Sequence, residues 1–247
     1  MIQHLILGLI QGITEFLPVS SSGHLVIAKF LLGVESPGPG LEIVLHLATV
    51  IAVVIVLWKE FKKLSDIKYA AMVALGLVPA AVVGVVFSDQ LDAAFGNPLP
   101  VGLFFLLTAG VLLSTKWTKP GHKPMTWWRA LIIGLAQVFS LLPGISRSGI
   151  TISAALMLGL EPEEAFRFSF FMLIPAVVGG ALLKAKDISH LGHPGFIAVG
   201  FVASLAAGVA SLFFLRKTVV SRKFFWFSAY LVIAGAASLA WFLWIRR

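Results

Sequence analysis

Two stretches of the chain place chemically capable side chains inside otherwise apolar sequence. The first runs Gln11-Gly12-Ile13-Thr14-Glu15-Phe16-Leu17-Pro18-Val19-Ser20-Ser21-Ser22-Gly23-His24. Gln11 and Glu15 are four apart, so a helix sets both on one face. Pro18 should end that helix, leaving Ser20, Ser21 and Ser22 to open the next. Hydroxyls and free N–H groups at a helix N-terminus suit an anion. His24, one turn further on, has an imidazole that can serve as acid, base or nucleophile near neutral pH. The second stretch runs Leu142-Pro143-Gly144-Ile145-Ser146-Arg147-Ser148-Gly149-Ile150-Thr151. A guanidinium between two serines at the start of a helix suits phosphate, because its planar fork matches two phosphate oxygens.

Each residue also has a plainer reading. Glu15 suits a place at the membrane interface or a purely structural pairing with Arg147. The serine run suits a helix cap, and a lone histidine in a helix is commonly structural. Together, however, the two stretches supply a carboxylate, an imidazole, several hydroxyls and a guanidinium, the parts that phosphoryl transfer requires. A divalent cation, Mg2+ or Ca2+, takes oxygen ligands, so Glu15 and Gln11 are the metal-site candidates, with substrate oxygens completing the shell.

The elements that position these groups follow from composition. Of 247 residues, 59% are hydrophobic and 12% charged, far from the roughly 45–50% apolar content of soluble domains. Apolar stretches at Leu41–Trp58, Tyr69–Phe87, Val101–Thr115, Phe168–Leu183, Phe196–Leu215 and Phe225–Ile245 predict about six transmembrane helices. Met1–Gly33 and Trp127–Leu160 are interrupted midway and read as re-entrant helical hairpins, since broken backbone at membrane depth must be buried in protein or line a wet cavity. The fold class is therefore all-α and polytopic. The N-terminus lacks a basic region and a convincing cleavage site, so the first segment is expected to belong to the mature fold. There is no cysteine, which excludes disulfides and thiolate metal sites.

The net charge of +8 does not indicate nucleic acid, because the basic residues sit in short loops between spans. Lys59, Lys62, Lys63 and Lys68, then Lys116, Lys119, Lys123 and Arg129, then Arg216, Lys217, Arg222 and Lys223 mark three cytoplasmic loops. The loop 88–100, with Asp89 and Asp92, belongs outside. Lys184, Lys186, Arg246 and Arg247 then fall outside against the rule.

Gly8-Leu9-Ile10-Gln11 matches Gly134-Leu135-Ala136-Gln137, a shift of 126 residues that also carries Ser20, Ser22 and Gly23 onto Ser146, Ser148 and Gly149. The two hairpins read as related copies within one membrane domain, 1–247, with repeat one at about 1–115 and repeat two at about 126–247. Glu42, and Glu163 or Glu164, lead into the next span of each half. One hairpin plus three spans in each half gives inverted topology, with the hairpins meeting near the midplane. A membrane transporter or lipid flippase is the rival reading, since such repeats are also a transporter signature.

The two stretches resemble the undecaprenyl-pyrophosphate phosphatases associated with bacitracin resistance, and the resemblance covers essentially the whole chain. It implies removal of a phosphate from a C55 polyprenyl pyrophosphate, so that the lipid carrier is reused in peptidoglycan synthesis. It also implies a bacterial plasma (inner) membrane location with the site opening to the outer face. Glu15, Ser21, His24, Ser146, Arg147 and Thr151 match positions held in that family to be catalytic or phosphate-binding. On this basis the catalytic candidates are Glu15, His24, Ser21 and Arg147, and the phosphate-binding ones are Arg147, Ser146, Ser148, Thr151, Ser20 and Ser22. Gln11 stands where the family's acidic motif has Glu or Gln, which makes a two-carboxylate metal site doubtful. The nucleophile stays open between Ser21 activated by His24 and a water with Glu15 or His24 as base. Membrane lipids are partners, a homodimer is left open, and His46, His122, His190 and His193 are read as structural or loop residues.

Overall fold

In the computed structural model, residues 1–32, 39–95, 99–119, 121–184 and 193–245 are described. Gly33, Lys186, His190, Arg246 and Arg247 lie outside these. Eleven α-helices among the described residues form the fold: α1 (Ile2–Phe16), α2 (Ser21–Leu32), α3 (Pro39–Val56), α4 (Ile67–Val86), α5 (Ser88–Phe95), α6 (Leu99–Ser114), α7 (Trp127–Val138), α8 (Arg147–Met157), α9 (Pro162–Leu183), α10 (Pro194–Val220) and α11 (Phe227–Ile245). Among the described residues, five helices are long and apolar enough to cross a membrane. A sixth, Gly40–Val56, qualifies only together with Trp58–Ser65, which turns 83° from it. That turned segment carries Glu60, Lys62 and Lys63, charges that keep it out of hydrocarbon. The chain is thus an all-α, multi-pass membrane protein.

The other helices cannot span. α1, α2, α7 and α8 hold 15, 12, 12 and 11 residues, and at ~1.5 Å per residue each falls short of a core of ~30 Å. They pair as the two expected hairpins. In the second, the backbone of Lys123, ahead of α7, donates to Gly159 O at 3.0 Å, just past the end of α8. Entry and exit of that hairpin are therefore at the same end of the bundle.

That end gathers the basic loops. Arg167 and Arg216 both bind Glu60, Arg216 also binds Glu163, and Glu164 receives Arg167 and Lys63. The network ties the segment after α3 to the start of α9 and the end of α10. Trp58, Trp117, Trp127, Trp128 and Trp226 are all exposed beside these loops, as expected of an interfacial aromatic belt. On another loop pair, Lys184 meets Asp92 at 2.7 Å, which puts the ends of α9 and α5 together and gives Lys184, a minority vote by the charge rule, an acidic partner.

Close helix contacts fix the direction of each hairpin. A Cβ at Gly8 would lie 2.3 Å from Gly200 O, and one at Gly12 2.3 Å from Ser204 O, so α1 runs alongside α10 in the same direction. Because α10 reaches the basic end near Arg216, α1 starts from the opposite end. A Cβ at Gly134 would lie 2.3 Å from Gly76 O, seating α7 on α4 in the same manner. The hairpins thus enter from opposite ends, and small residues let their backbones pack directly on a spanning helix.

The Gly134 contact is testable by thermal unfolding in detergent. Gly134→Ala forces α7 off α4 and is expected to cost about 1–3 kcal/mol, several degrees of melting temperature. Gly110→Ala, which meets nothing within 4 Å, is expected to leave it unchanged. Equal melting of Gly134→Ala and wild type would refute the close approach.

Candidate functional site

The hairpins meet tip to tip. α1 ends at Phe16, before Pro18, and α2 begins at Ser21. Between them Ser20 takes φ +69°, a left-handed conformation that costs a non-glycine residue roughly 1–2 kcal/mol. Its carbonyl accepts from the backbone of His24 at 3.3 Å, and its Oγ accepts from Gly23 N at 3.4 Å. The second tip uses Gly144 at φ +102°, where a Cβ would also strike Val101 O of α6 at 2.8 Å. Thr108 of α6 supports that tip, accepting from Ser146 N at 3.3 Å. Gly23 packs against Gly144, and Ser148 Oγ lies 3.4 Å from Leu17 O, which it donates to.

The repeat of 126 residues reappears in these bonds. Ser20 Oγ and Ser22 Oγ are 3.2 Å apart, as are Ser146 Oγ and Ser148 Oγ. Ser146 caps Gly149 N at 3.1 Å, the counterpart of Ser20 capping Gly23. Gln11 and Gln137 are both buried, each with an Oε1 that has no partner.

Across the tips, Arg147 Nη2 donates to Glu15 Oε1 at 3.2 Å, the two side chains being 16% and 8% exposed. Glu15 Oε2 accepts from Ser21 Oγ at 2.6 Å and from Gln11 Nε2 at 3.1 Å. Arg147 Nη1 is buried without a partner. A guanidinium that spends one nitrogen on a carboxylate and holds the other free, next to two helix N-termini, is arranged to take an anionic oxygen. The hydroxyl in contact with the carboxylate is that of Ser21. His24 instead points its two nitrogens at Ser20 O, 2.8 Å, and Tyr230 Oη, 2.6 Å.

Thr151 is fully buried. Its hydroxyl donates to Arg147 O at 2.8 Å and lies 2.6 Å from Ser169 Oγ, bracing α8 against α9. For a divalent cation the donor types fit. Gln11 Oε1 is a buried, unpartnered oxygen beside Glu15, although both Glu15 oxygens already accept hydrogen bonds. No group of three or more His, Cys, Asp and Glu able to hold a metal occurs among the described residues, so any cation must draw most of its shell from substrate and water.

The sequence model of the bacitracin resistance protein BacA family matches residues 4–237. The chain belongs to that family. Among its relatives, the undecaprenyl-diphosphatase of Parabacteroides distasonis is 38% identical, with 96% of each chain covered. That of Bacteroides fragilis is 39% identical over 95% of this chain and 96% of the relative. The one from Thermosipho africanus is 38% identical, covering 93% and 96%.

Two residues of this BacA-family chain stand at the site without having been singled out from sequence. His46 of α3, read as structural, places Nε2 3.5 Å from Glu15 Oε2, with Nδ1 2.8 Å from Glu42 O. The signal was available: a histidine within an apolar span is a functional-site candidate by default. Tyr230 of α11 had no such signal. His193, by contrast, caps α10 by accepting from Gly195 N at 3.2 Å, a structural role.

The Glu15–Arg147 pair yields a stability test. Arg147→Met leaves a buried carboxylate facing no guanidinium and is expected to cost about 3–5 kcal/mol. Removing both charges, as Glu15→Gln with Arg147→Met, is expected to restore part of the loss. Melting temperatures in detergent decide it: a double variant that melts below the single one refutes the pairing.

Proposed function

We propose that this BacA-family chain hydrolyses undecaprenyl pyrophosphate to the monophosphate and inorganic phosphate, recycling a lipid carrier of cell-wall synthesis. The unpartnered Arg147 Nη1, beside the Glu15–Ser21 pair where two helix N-termini converge, carries this reading. The phosphatase names of its relatives support it over a carrier. A bacterial inner membrane, with the site open to the outer face, suits a lipid that is released there.

In the proposed reaction Arg147 Nη1 and the N–H groups opening α2 and α8 grip the terminal phosphate. Ser21 Oγ attacks its phosphorus while Glu15 Oε2 takes the hydroxyl proton. The bond to the lipid monophosphate breaks, and that monophosphate leaves. Water then cleaves the phosphoserine, releasing phosphate and restoring the serine. Glu15 and Gln11 would hold Mg2+ or Ca2+, which would offset charge on the pyrophosphate when bound. Ser20, Ser22, Ser146 and Ser148 serve by shaping the two caps, and Thr151 by bracing α8.

Phosphate release from undecaprenyl pyrophosphate by purified protein in detergent tests the assignment, because hydrolysis needs no sealed membrane and transport does. Wild type with Mg2+ or Ca2+ is expected to release phosphate and to stop on chelation. Glu15→Ala and Arg147→Ala are each expected to lose about 100- to 1000-fold, the scale of removing a preorganised charge partner. No release by wild type, or full rates in both variants, would overturn the reading. For the nucleophile, rapid quenching with terminally labelled substrate should leave label on the protein and none on Ser21→Ala. Substantial turnover by Ser21→Ala would transfer the attack to water.

A further inference from the structure

His24 is held at both ring nitrogens, and this fixes where its protons lie. Nδ1 is 2.8 Å from Ser20 O, and a carbonyl only accepts, so Nδ1 carries hydrogen. In the neutral ring Nε2 is then a lone pair, and Tyr230 Oη, 2.6 Å away, donates to it. A hydroxyl can also accept. If His24 gains a second proton at Nε2, the same Tyr230 oxygen can receive it as a hydrogen bond. A phenylalanine or leucine at 230 could serve neither state.

Tyr230 lies four residues past Trp226 of the exposed aromatic belt, yet its hydroxyl is turned to His24. It is 47% exposed, on the span candidate with the smallest buried share, where an apolar side chain facing lipid would serve the helix as well. Its ring stacks on the imidazole, 5.7 Å between centroids and 14° from parallel. Phe105 of α6 closes the other side at 5.0 Å. α6 and α11 are held together at Gly102 and Gly235, where a Cβ on Gly235 would lie 2.8 Å from Gly102 O. This close approach, on the same two helices as Phe105 and Tyr230, sets the wall that faces His24. Tyr230 lies 206 residues from His24 and outside both motif stretches.

We propose that Tyr230 is a positioning residue of the phosphatase site, acting through His24 by holding the imidazole in its Nδ1–H form with Nε2 aimed at the α2–α11 gap. The proposal rests on the reading of His24 as a site residue.

Tyr230→Phe keeps the stacked ring and removes only the hydroxyl. Steady-state phosphate release from undecaprenyl pyrophosphate is measured for wild type, Tyr230→Phe, His24→Ala and the double variant, with melting temperatures alongside. Tyr230→Phe is expected to lower kcat about tenfold, with KM within twofold of wild type and melting unchanged. In the His24→Ala background the same change is expected to add no loss, since contacting residues that act as a unit are not additive. A wild-type kcat for Tyr230→Phe beside an impaired His24→Ala overturns the proposal while leaving the site reading intact. An equal fold-loss in both backgrounds also overturns it, because Tyr230 would then act independently of His24. A wild-type rate for His24→Ala removes His24 from the site, and this proposal with it, whatever Tyr230→Phe does.

Discussion

Charge in a membrane-depth interior must be paired, and the Glu15–Arg147 contact is where this chain meets that demand. Neither partner could sit where it does alone, since an isolated ion in such surroundings costs several kcal/mol. Each charge is therefore a condition for the other. The pair also requires two hairpins from opposite ends of the bundle to bring their tips together. Gly8 on Gly200 and Gly134 on Gly76 let α1 and α7 sit directly on spanning helices, and Thr108 supports the second tip. The pairing is incomplete by one nitrogen, Arg147 Nη1. That shortfall is what a phosphate oxygen can supply.

The two hairpins share a frame and differ in their chemistry. Serine caps, serine pairs and buried glutamines recur at a shift of 126 residues, down to the 3.2 Å between paired hydroxyls. At the same shift Glu15 faces Leu141, Ser21 faces Arg147, and His24 faces Ile150. The repeated residues build the turn, and the divergent ones carry charge or can move a proton. The carboxylate, the hydroxyl in contact with it and the imidazole thus come from one hairpin and the guanidinium from the other. The site exists only where the copies touch.

Much of this was legible in sequence because it is encoded locally. Pro18 predicted the end of α1, the serines predicted the starts of α2 and α8, and apolar length predicted the spans. The short match of Gly8–Gln11 with Gly134–Gln137 pointed to paired hairpins. What could not be read was encoded by packing across the bundle. His46 reaches Glu15 from α3, and Tyr230 reaches His24 from the last helix; neither contact has a local spacing to betray it. The partner of Ser21 was equally invisible. Sequence offered His24 as one partner for it, and the fold turns His24 toward α11 while Ser21 Oγ donates its hydrogen bond to Glu15. The span read from Leu41 to Trp58 closes at Val56, where the chain turns 83° into Trp58–Ser65, but the joining of Glu60 in that segment to Arg167 and Arg216 had no local signal.

The hydroxyls at the site divide by how firmly they are engaged. Thr151 is locked between a backbone carbonyl and Ser169 at 2.6–2.8 Å, bonds whose loss would leave buried groups unsatisfied at roughly 1–3 kcal/mol each. The pairs Ser20–Ser22 and Ser146–Ser148, at 3.2 Å, join hydroxyls that can each turn to a new acceptor. A phosphate entering between the tips would find the second kind able to exchange partners and the first kind holding α8 still while they do. Under the proposed reaction, geometry of this sort would take an anion without reorganising the helices that present it. The strain kept at Ser20 has the same sense, because it holds the α2 N-terminus in position before any substrate arrives.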